Sequence, residues 1–363
     1  GDIAGQEAVT QTLKNALIQG KTSHAYLFTG PRGTGKTSAA KIFAKAINCH
    51  HRVDGEPCNE CETCRAITEG RLNDVIEIDA ASNNGVEEIR DIRDKARYAP
   101  TQADYKVYII DEVHMLSTGA FNALLKTLEE PPENVIFILA TTEPHKIPLT
   151  IISRTQRFDF KRISYQDIIN RMAYILQEEK IGYDEQALHI IARSANGGMR
   201  DALSLLDQII SYGSDAVTFE NAVKVSGSLT EEMMISFSSA LLHEETESAL
   251  QLLQEILSAG KEAGRFLEEM ILFARDVLVY QQTNGKAFAD NTQQYSEAFQ
   301  TFSQEAPATF LYEIIEAFNE TQGEMRFSTQ PDIYLEVLAV KLSQSKAHAH
   351  ATAAVPSAQA APN

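Results

Sequence analysis

Residues 30–37, GPRGTGKT, decide the fold. They satisfy the pattern G-x-x-x-x-G-K-[ST], which a chain of 363 residues meets by chance about one time in a hundred on average residue usage. The stretch follows the apolar run AYLFTG (25–30) and opens the helical segment GKTSAAKIFAKAINC. In that setting glycines let backbone N–H groups wrap a polyphosphate, and the helix N-terminus adds positive potential. Gly30, Pro31, Arg32, Gly33, Thr34, Gly35, Lys36, Thr37 and Ser38 therefore form the candidate ATP-binding loop. Lys36 is the candidate for the β- and γ-phosphates, and Thr37 for Mg²⁺. The bland alternative is a glycine-rich strand-to-helix turn without a ligand.

Working outward, four more short apolar runs follow: DVIEIDA (74–80), KVYIIDE (106–112), NVIFILATT (134–142) and TQRFDFK (155–161). Three of the five runs are nearly continuous Val, Ile, Leu and Phe, as expected of strands covered on both faces. Between them lie VEEIRDIRDKARY and TGAFNALLKTLEE, with apolar residues at helical spacing, the second stopped by Pro131-Pro132. The alternation predicts a parallel α/β sheet.

The run ending in Asp111-Glu112 supplies a carboxylate for Mg²⁺ and a second to polarise an attacking water. Alone, such a pair is a solvated strand end; with the phosphate loop it favours hydrolysis over mere binding. Thr142, ending FILATT, offers a hydroxyl for the γ-phosphate or is simply a β-favouring threonine. Arg154, in IISRTQRF, faces away from its own phosphate loop in a fold of this type, or is a surface ion-pair residue. Arg200 opens the segment MRDALSLLDQ, from where a guanidinium can reach a bound phosphate; an arginine beside Asp201 at a helix start is the ordinary reading.

From residue 162 the strand pattern gives way to three or four short helices up to 226. Longer amphipathic helices follow, from EEMMISFSSALLH to PDIYLEVLAVKLSQ. The chain then becomes KAHAHATAAVPSAQAAPN, which reads as a linker, with His348 and His350 as solvated tail residues. The length predicts two or three domains. No stretch approaches the roughly 18 uninterrupted apolar residues of a membrane span, so the sequence reads as cytoplasmic and soluble.

Net charge is -18. Residues 1–200 hold 24 Lys/Arg against 27 Asp/Glu, whereas residues 201–363 hold 8 against 23. That balance excludes a protein coating DNA by bulk electrostatics, because phosphate neutralisation needs Lys and Arg. Any DNA contact is local or shared with other subunits. The start of VEEIRDIR is one candidate, with Ser82, Asn83, Asn84 and Gly85 as candidate contacts and exposed N–H groups at Asn83 to Val86 able to hold a phosphate; Ser82 or Asn83 as an ordinary N-cap competes with it.

All 4 cysteines fall within residues 49–64, CHHRVDGEPCNECETC. Clustering of this kind suits a metal in a reducing compartment better than a disulfide framework. The spacing C-x8-C-x2-C-x2-C lets Cys49, Cys58, Cys61 and Cys64 close a tetrahedron around one Zn²⁺ with no position left for water. An iron–sulfur cluster is the alternative, although the Cys-Pro ending of the ferredoxin motif is missing.

Walker A (30–37), DEVH, ILATTEP, ISR and GGMRDALSLLDQ, in this order, resemble the AAA+ clamp-loader ATPases. The four cysteines, with AASNNGVEEIRDIRDK and FNALLKTLEEPPENVIFILATTEPHKIPLTIISR, narrow the resemblance to the bacterial DNA polymerase III gamma/tau family, nearest its Gram-positive members. It covers residues 1 to about 345. The delta-prime branch fits less well, lacking so intact a Walker A. The resemblance implies a P-loop AAA+ core over residues 1–161 with an inserted zinc knuckle at 49–64. An all-α lid at 162–226, an all-α collar for oligomerisation at 227–343 and an Ala/Pro-rich linker at 344–363 would follow.

The same resemblance implies roles residue by residue. Lys36, Thr37, Asp111 and Glu112 would be the Walker residues, Thr142 sensor 1, Arg154 a finger acting on a neighbour's ATP, and Arg200 sensor 2. Expected cofactors are ATP, Mg²⁺ and Zn²⁺. Expected partners are delta, delta-prime, further gamma/tau copies, the sliding clamp and primed DNA, with helicase and polymerase held by segments of tau beyond the linker. The implied activity is ATP-driven clamp loading within a nucleoid-associated DNA polymerase III holoenzyme. Competing expectations are an ATP-binding replisome scaffold with little turnover and another AAA+ DNA motor; no nucleotidyl-transfer site is visible. Two departures stand out: relatives read Ser-Arg-Cys at Ser153-Arg154-Thr155, and they carry an Arg-Pro pair upstream of GDIAGQ that helps enclose adenine.

Overall fold

A computed structural model describes residues 3–213, 216–286 and 295–351, with side chains described as far as residue 344. Two compact units emerge, Gly1–Thr218 and Phe219–Asn363. The first unit begins with α1 (Glu7–Gln19), β1 (Ala25–Thr29), α2 (Lys36–Asn48) and α3 (Glu62–Thr68). Next come β2 (Val75–Asp79), α4 (Val86–Ala96), β3 (Lys106–Asp111), α5 (Thr118–Glu129), β4 (Val135–Thr141), α6 (Leu149–Ile152) and β5 (Gln156–Asp159). The five strands make one parallel sheet in the order β2-β3-β4-β1-β5.

Burial follows position in the sheet. Every residue of β1 and β4 is buried, as is all of β3 but Asp111, whereas the edge strands β2 and β5 are partly open. Alternation within a strand sends neighbours to opposite faces. Tyr26 and Phe28 pack with Phe43 of α2 and Leu13 of α1 on one side. Ala25 and Leu27 pack with Ile89 of α4 and Leu124 of α5 on the other. Fully burying aromatic side chains such as Phe28 or Phe137 contributes about 1.5–3 kcal/mol each, so the central strands are held firmly.

A lid of α7 (Tyr165–Glu178), α8 (Glu185–Ala195) and α9 (Met199–Tyr212) completes the first unit. Ser164 caps α7 by accepting from the Asp167 amide. The lid also holds a two-residue parallel pair, β6 (Gly182–Tyr183) with β7 (Ala216–Val217), where no strand was expected. Two residues are too few for a period to show.

Among the described residues the second unit is helical. It contains α10 (Phe219–Ser226), α11 (Glu231–Leu242), α12 (Thr246–Ser258), α13 (Ala263–Thr283), α14 (Glu297–Glu305), α15 (Ala308–Met325) and α16 (Pro331–Ala351). Its core gathers Phe237, Phe266, Met270, Phe273, Phe299 and Phe318. α16 continues into the stretch expected to be linker from residue 344, because Ala and Lys sustain a helix whether or not an apolar face continues. The remainder of that expected linker, residues 352–363, lies outside the described residues, as do the side chains of His348 and His350. Among the described residues, no helix is long and apolar enough to cross a membrane.

Candidate nucleotide and metal sites

The phosphate loop leaves the C-terminal end of β1 between β4 and β5, where open parallel sheets place their ligands. Two glycines are required by close approach. A Cβ on Gly30 would lie 2.4 Å from the Phe160 carbonyl oxygen, and one on Gly33, at φ 77°, would lie 2.9 Å from Gly198 Cα. The loop is pinned from both sides. Gln6 Nε2 donates to the Thr34 carbonyl at 3.2 Å and to the Lys161 carbonyl at 2.6 Å, while its Oε1 accepts from the Lys161 amide at 3.0 Å. From the lid, the Met199 amide donates to the Gly33 carbonyl at 2.9 Å.

Lys36 is the first residue of α2 and is largely buried. Its Nζ donates to the carbonyls of Gly30 and Pro31, each at 2.7 Å. Burial pushes the ammonium below its ordinary pKa, and Arg200 pushes the same way; the Asp111 and Glu112 carboxylates oppose them. Thr37 Oγ1 donates to Asp111 Oδ2 at 2.8 Å, and Asp111 Oδ1 accepts from the Glu112 amide at 2.9 Å. Glu112 sits at φ 50°, a left-handed conformation that turns the chain sharply out of β3.

One cavity of about 1000 Å³ is lined by Arg32–Ser38, Asp111, Glu112, Thr142 and Arg200. Ile3, Asp79, Met115, Ile163, Arg171 and Met199 also line it, and the sequence reading named none of these. A neighbouring apolar cleft between α1, α2 and the cysteine loop holds about 50 Å³, too little for a nucleotide. Thr142 stands one residue past the end of β4. Arg200, exposed in the first turn of α9, reaches the cavity from the lid.

Arg154 is elsewhere. Its guanidinium pairs with Glu129 at 3.1 Å and donates to the Thr150 carbonyl at 2.9 Å, outside the residues lining its own chain's cavity. Thr155 donates its hydroxyl to the Ile152 carbonyl at 3.0 Å. At α4 the N-cap is Gly85, which makes no side-chain cap, so Ser82 and Asn83 are not the caps that the competing reading suggested. The backbone reading of this segment also narrows. The Ser82 and Asn83 amides already donate to the Asp79 carbonyl, and Glu87 and Glu88 occupy the first turn, where they compete with a phosphate for its positive end.

The four thiols converge. Cys49 is the C-cap of α2 and Cys61 the N-cap of α3, and the four Sγ atoms lie within 4.8 Å of one another. Tetrahedral zinc with bonds of about 2.3 Å needs sulfur separations of about 3.8 Å, and Cys58 and Cys64 stand 3.9 Å apart. No disulfide links them. Sulfur also accepts backbone amides: Cys58 N to Cys49 at 3.4 Å, Cys61 N to Cys58 at 3.3 Å and Cys64 N to Cys61 at 3.4 Å. Backbone amides at Cys61 and Glu60 lower the Cys58 pKa to about 6, while burial raises that of Cys64. A set of four sulfurs closed in this way fits a structural metal ion.

Comparison with known proteins follows the same divisions. Residues 5–164 match a family model described as DNA polymerase III, delta subunit. Residues 167–215 match the ATPase lid domain of the DNA polymerase III clamp loader subunit, and residues 217–355 match domain III of subunits gamma and tau. DNA polymerase III subunit gamma of Buchnera aphidicola is 38% identical, over 94% of this chain and 94% of that protein. The chain belongs to the DNA polymerase III gamma/tau family. Subunit tau of Bacillus subtilis is 56% identical over 95% of this chain but only 61% of tau, and that of Escherichia coli is 46% identical over 74% of this chain and 42% of tau. The chain thus spans about half of these tau relatives. Within the gamma/tau family frame, the 1000 Å³ cavity lies between an AAA+ core and its lid.

Proposed function

We propose that this chain is an ATP-driven motor subunit of a bacterial replicative clamp loader. The observation that carries the reading is the convergence of Lys36, Thr37, Asp111, Glu112, Thr142 and Arg200 on one cavity of nucleotide size. ATP would lie with its phosphates along the Gly30–Thr37 loop. Lys36 would exchange its carbonyl partners for phosphate oxygens, as an ammonium with three donors can. Thr37 and Asp111, already 2.8 Å apart, would hold Mg²⁺, which neutralises phosphate charge when bound. Glu112 would take a proton from the attacking water, Thr142 would sense the γ-phosphate, and Arg200 would close from the lid.

Arg154 would serve a neighbouring subunit's ATP, in keeping with its pairing to Glu129 outside the residues that line its own chain's cavity. Binding of ATP would open the sliding clamp and admit a primer-template junction; hydrolysis would release the closed clamp on DNA. Partners would be delta, delta-prime and further gamma/tau copies, joined through the helices of the second unit, in the cytoplasm. The Cys49, Cys58, Cys61 and Cys64 cluster would hold Zn²⁺ as a folding element. A DNA phosphate near Ser82 to Gly85 would have to use Asn84, Gly85 and side chains, since the Ser82 and Asn83 amides are engaged.

The test is clamp loading onto primed DNA in a reconstituted mixture with delta, delta-prime and clamp. Lys36→Ala should abolish it while leaving the assembly intact. Loading at the unsubstituted rate by Lys36→Ala assemblies would refute the motor reading.

A further inference from the structure

His114 is two residues beyond Glu112, in a single helical turn (Val113–Met115) that follows the left-handed kink. Its side chain is 5% exposed. Nδ1 lies 2.9 Å from Thr141 Oγ1, and Nε2 lies 3.4 Å from carboxylate oxygens of both Glu112 and Glu143. Thr141 Oγ1 also accepts from the Glu143 amide at 3.0 Å. These contacts favour one arrangement of the ring protons. An unprotonated Nε2 would aim a lone pair at two carboxylates, so Nε2 carries hydrogen, and the Thr141 hydroxyl is then placed to donate to Nδ1.

The same ring therefore touches the carboxylate read as the base and both neighbours of Thr142, the residue read as γ-phosphate sensor. We infer that His114 is a positioning residue, aiming the Glu112 carboxylate and tying that aim to the strand end that carries Thr142. Glu143 is the competing acceptor, itself paired with Lys146 at 2.9 Å. A shift of the β4 terminus moves Thr141 and Glu143 together, and so changes how the Nε2–H is divided between Glu112 and Glu143. Contacts slightly long for hydrogen bonds suit such a role, because catalytic hydrogen bonds often tighten only with the reactant bound.

This inference rests on the ATPase reading above, so its test has an arm independent of turnover. Side-chain ¹⁵N spectra of the full chain, assigned with His114→Gln, should show Nε2 of His114 protonated; an unprotonated Nε2 overturns the inference even if the chain never hydrolyses ATP. In the assembled loader, His114→Ala should lower kcat about 10- to 100-fold, the cost of a misaimed group, with ATP affinity within about threefold. His114→Gln, which keeps a donor towards the carboxylates, should recover most of that loss, and Thr141→Val should reproduce part of it. Unchanged kcat in His114→Ala overturns the inference. So does a loss shared equally by Gln and Ala together with falling ATP affinity and melting temperature, the mark of a structural role. Failure of the unsubstituted loader to hydrolyse ATP would count against the proposed function alone.

Discussion

Thr37 Oγ1 and Asp111 Oδ2 lie 2.8 Å apart although 74 residues separate them in sequence. The pair joins the first turn of α2 to the end of β3, two elements that meet because both line the C-terminal edge of one parallel sheet. Substitutions around this pair separate binding from chemistry. Glu112→Gln removes the proposed base but keeps shape, so it should bind ATP with near-normal affinity in equilibrium titration while single-turnover hydrolysis falls by about 10²-fold or more. Equal losses of both would place Glu112 in binding instead.

Purified protein should carry one zinc per chain, coordinated by sulfur alone in X-ray absorption. The knuckle leans on α1 through Lys14, which pairs with Glu56 at 2.5 Å and would meet any Cβ on Gly55 at 3.0 Å. Chelation should therefore raise hydrogen exchange across residues 49–68 and around Lys14, leaving nucleotide binding within about twofold because Lys36 lies at the far end of α2. A visible charge-transfer band with stoichiometric iron would replace zinc with a cluster.

Arg154 offers a sharper contrast between subunit and assembly. Its exposed pairing with Glu129 is worth at most about 1 kcal/mol, so the guanidinium can leave it for a neighbour's phosphate. Arg154→Ala should retain ATP binding but lose DNA-stimulated turnover by about 10³-fold, the scale of an arginine finger. Mixing it with Lys36→Ala chains should restore activity where an intact Arg154 faces an intact phosphate loop. Glu129→Gln should leave turnover unchanged. Full stimulated turnover in a homogeneous Arg154→Ala assembly would leave Arg154 as an ion-pair residue only.

Asp74 contributes to the acid stability of the core. It is 1% exposed and accepts from the amides of Thr101, Gln102 and Ala103. Burial alone would raise its pKa, but these amides together outweigh it and hold the carboxyl below its ordinary value. Its folded pKa being depressed, the stabilisation is fully present above the unfolded value of about 3.9 and is lost as pH falls through the folded value. Asp74→Ala, which strands those amides, should cost about 3 kcal/mol near neutral pH in denaturant titration, and the difference from the parent should shrink below pH 4. A pH-independent difference would assign the effect to packing.

What was legible in the sequence was local. The phosphate loop, the cysteine spacing and the continuous apolar runs each depend on neighbours within about 16 residues, and each stands where the pattern put it. What was not legible depends on long-range contact. Gln6 clamps Thr34 and Lys161, 28 and 155 residues away, and nothing in GDIAGQ marks it. His114 stands in the sequence only as the last residue of DEVH, and its contacts with Thr141, at the end of β4, and Glu143, just beyond it, are long-range. α14, at nine residues, is too short for a periodic signal; Phe299 and Phe302 place it against Phe273. The competing reading of Ser82 or Asn83 as N-cap does not hold, because Asp79 turns the chain first and leaves the cap to Gly85.

The central claim is that this cavity spends ATP in response to clamp and DNA. Steady-state ATP turnover should be measured for the chain alone, then with delta, delta-prime and clamp, then with primed DNA added, with Lys36→Ala in parallel. The account predicts slow turnover alone, a rise of about tenfold or more only when clamp and primed DNA are both present, and none at any stage with Lys36→Ala. Turnover that stays flat as clamp and primed DNA are added would contradict it.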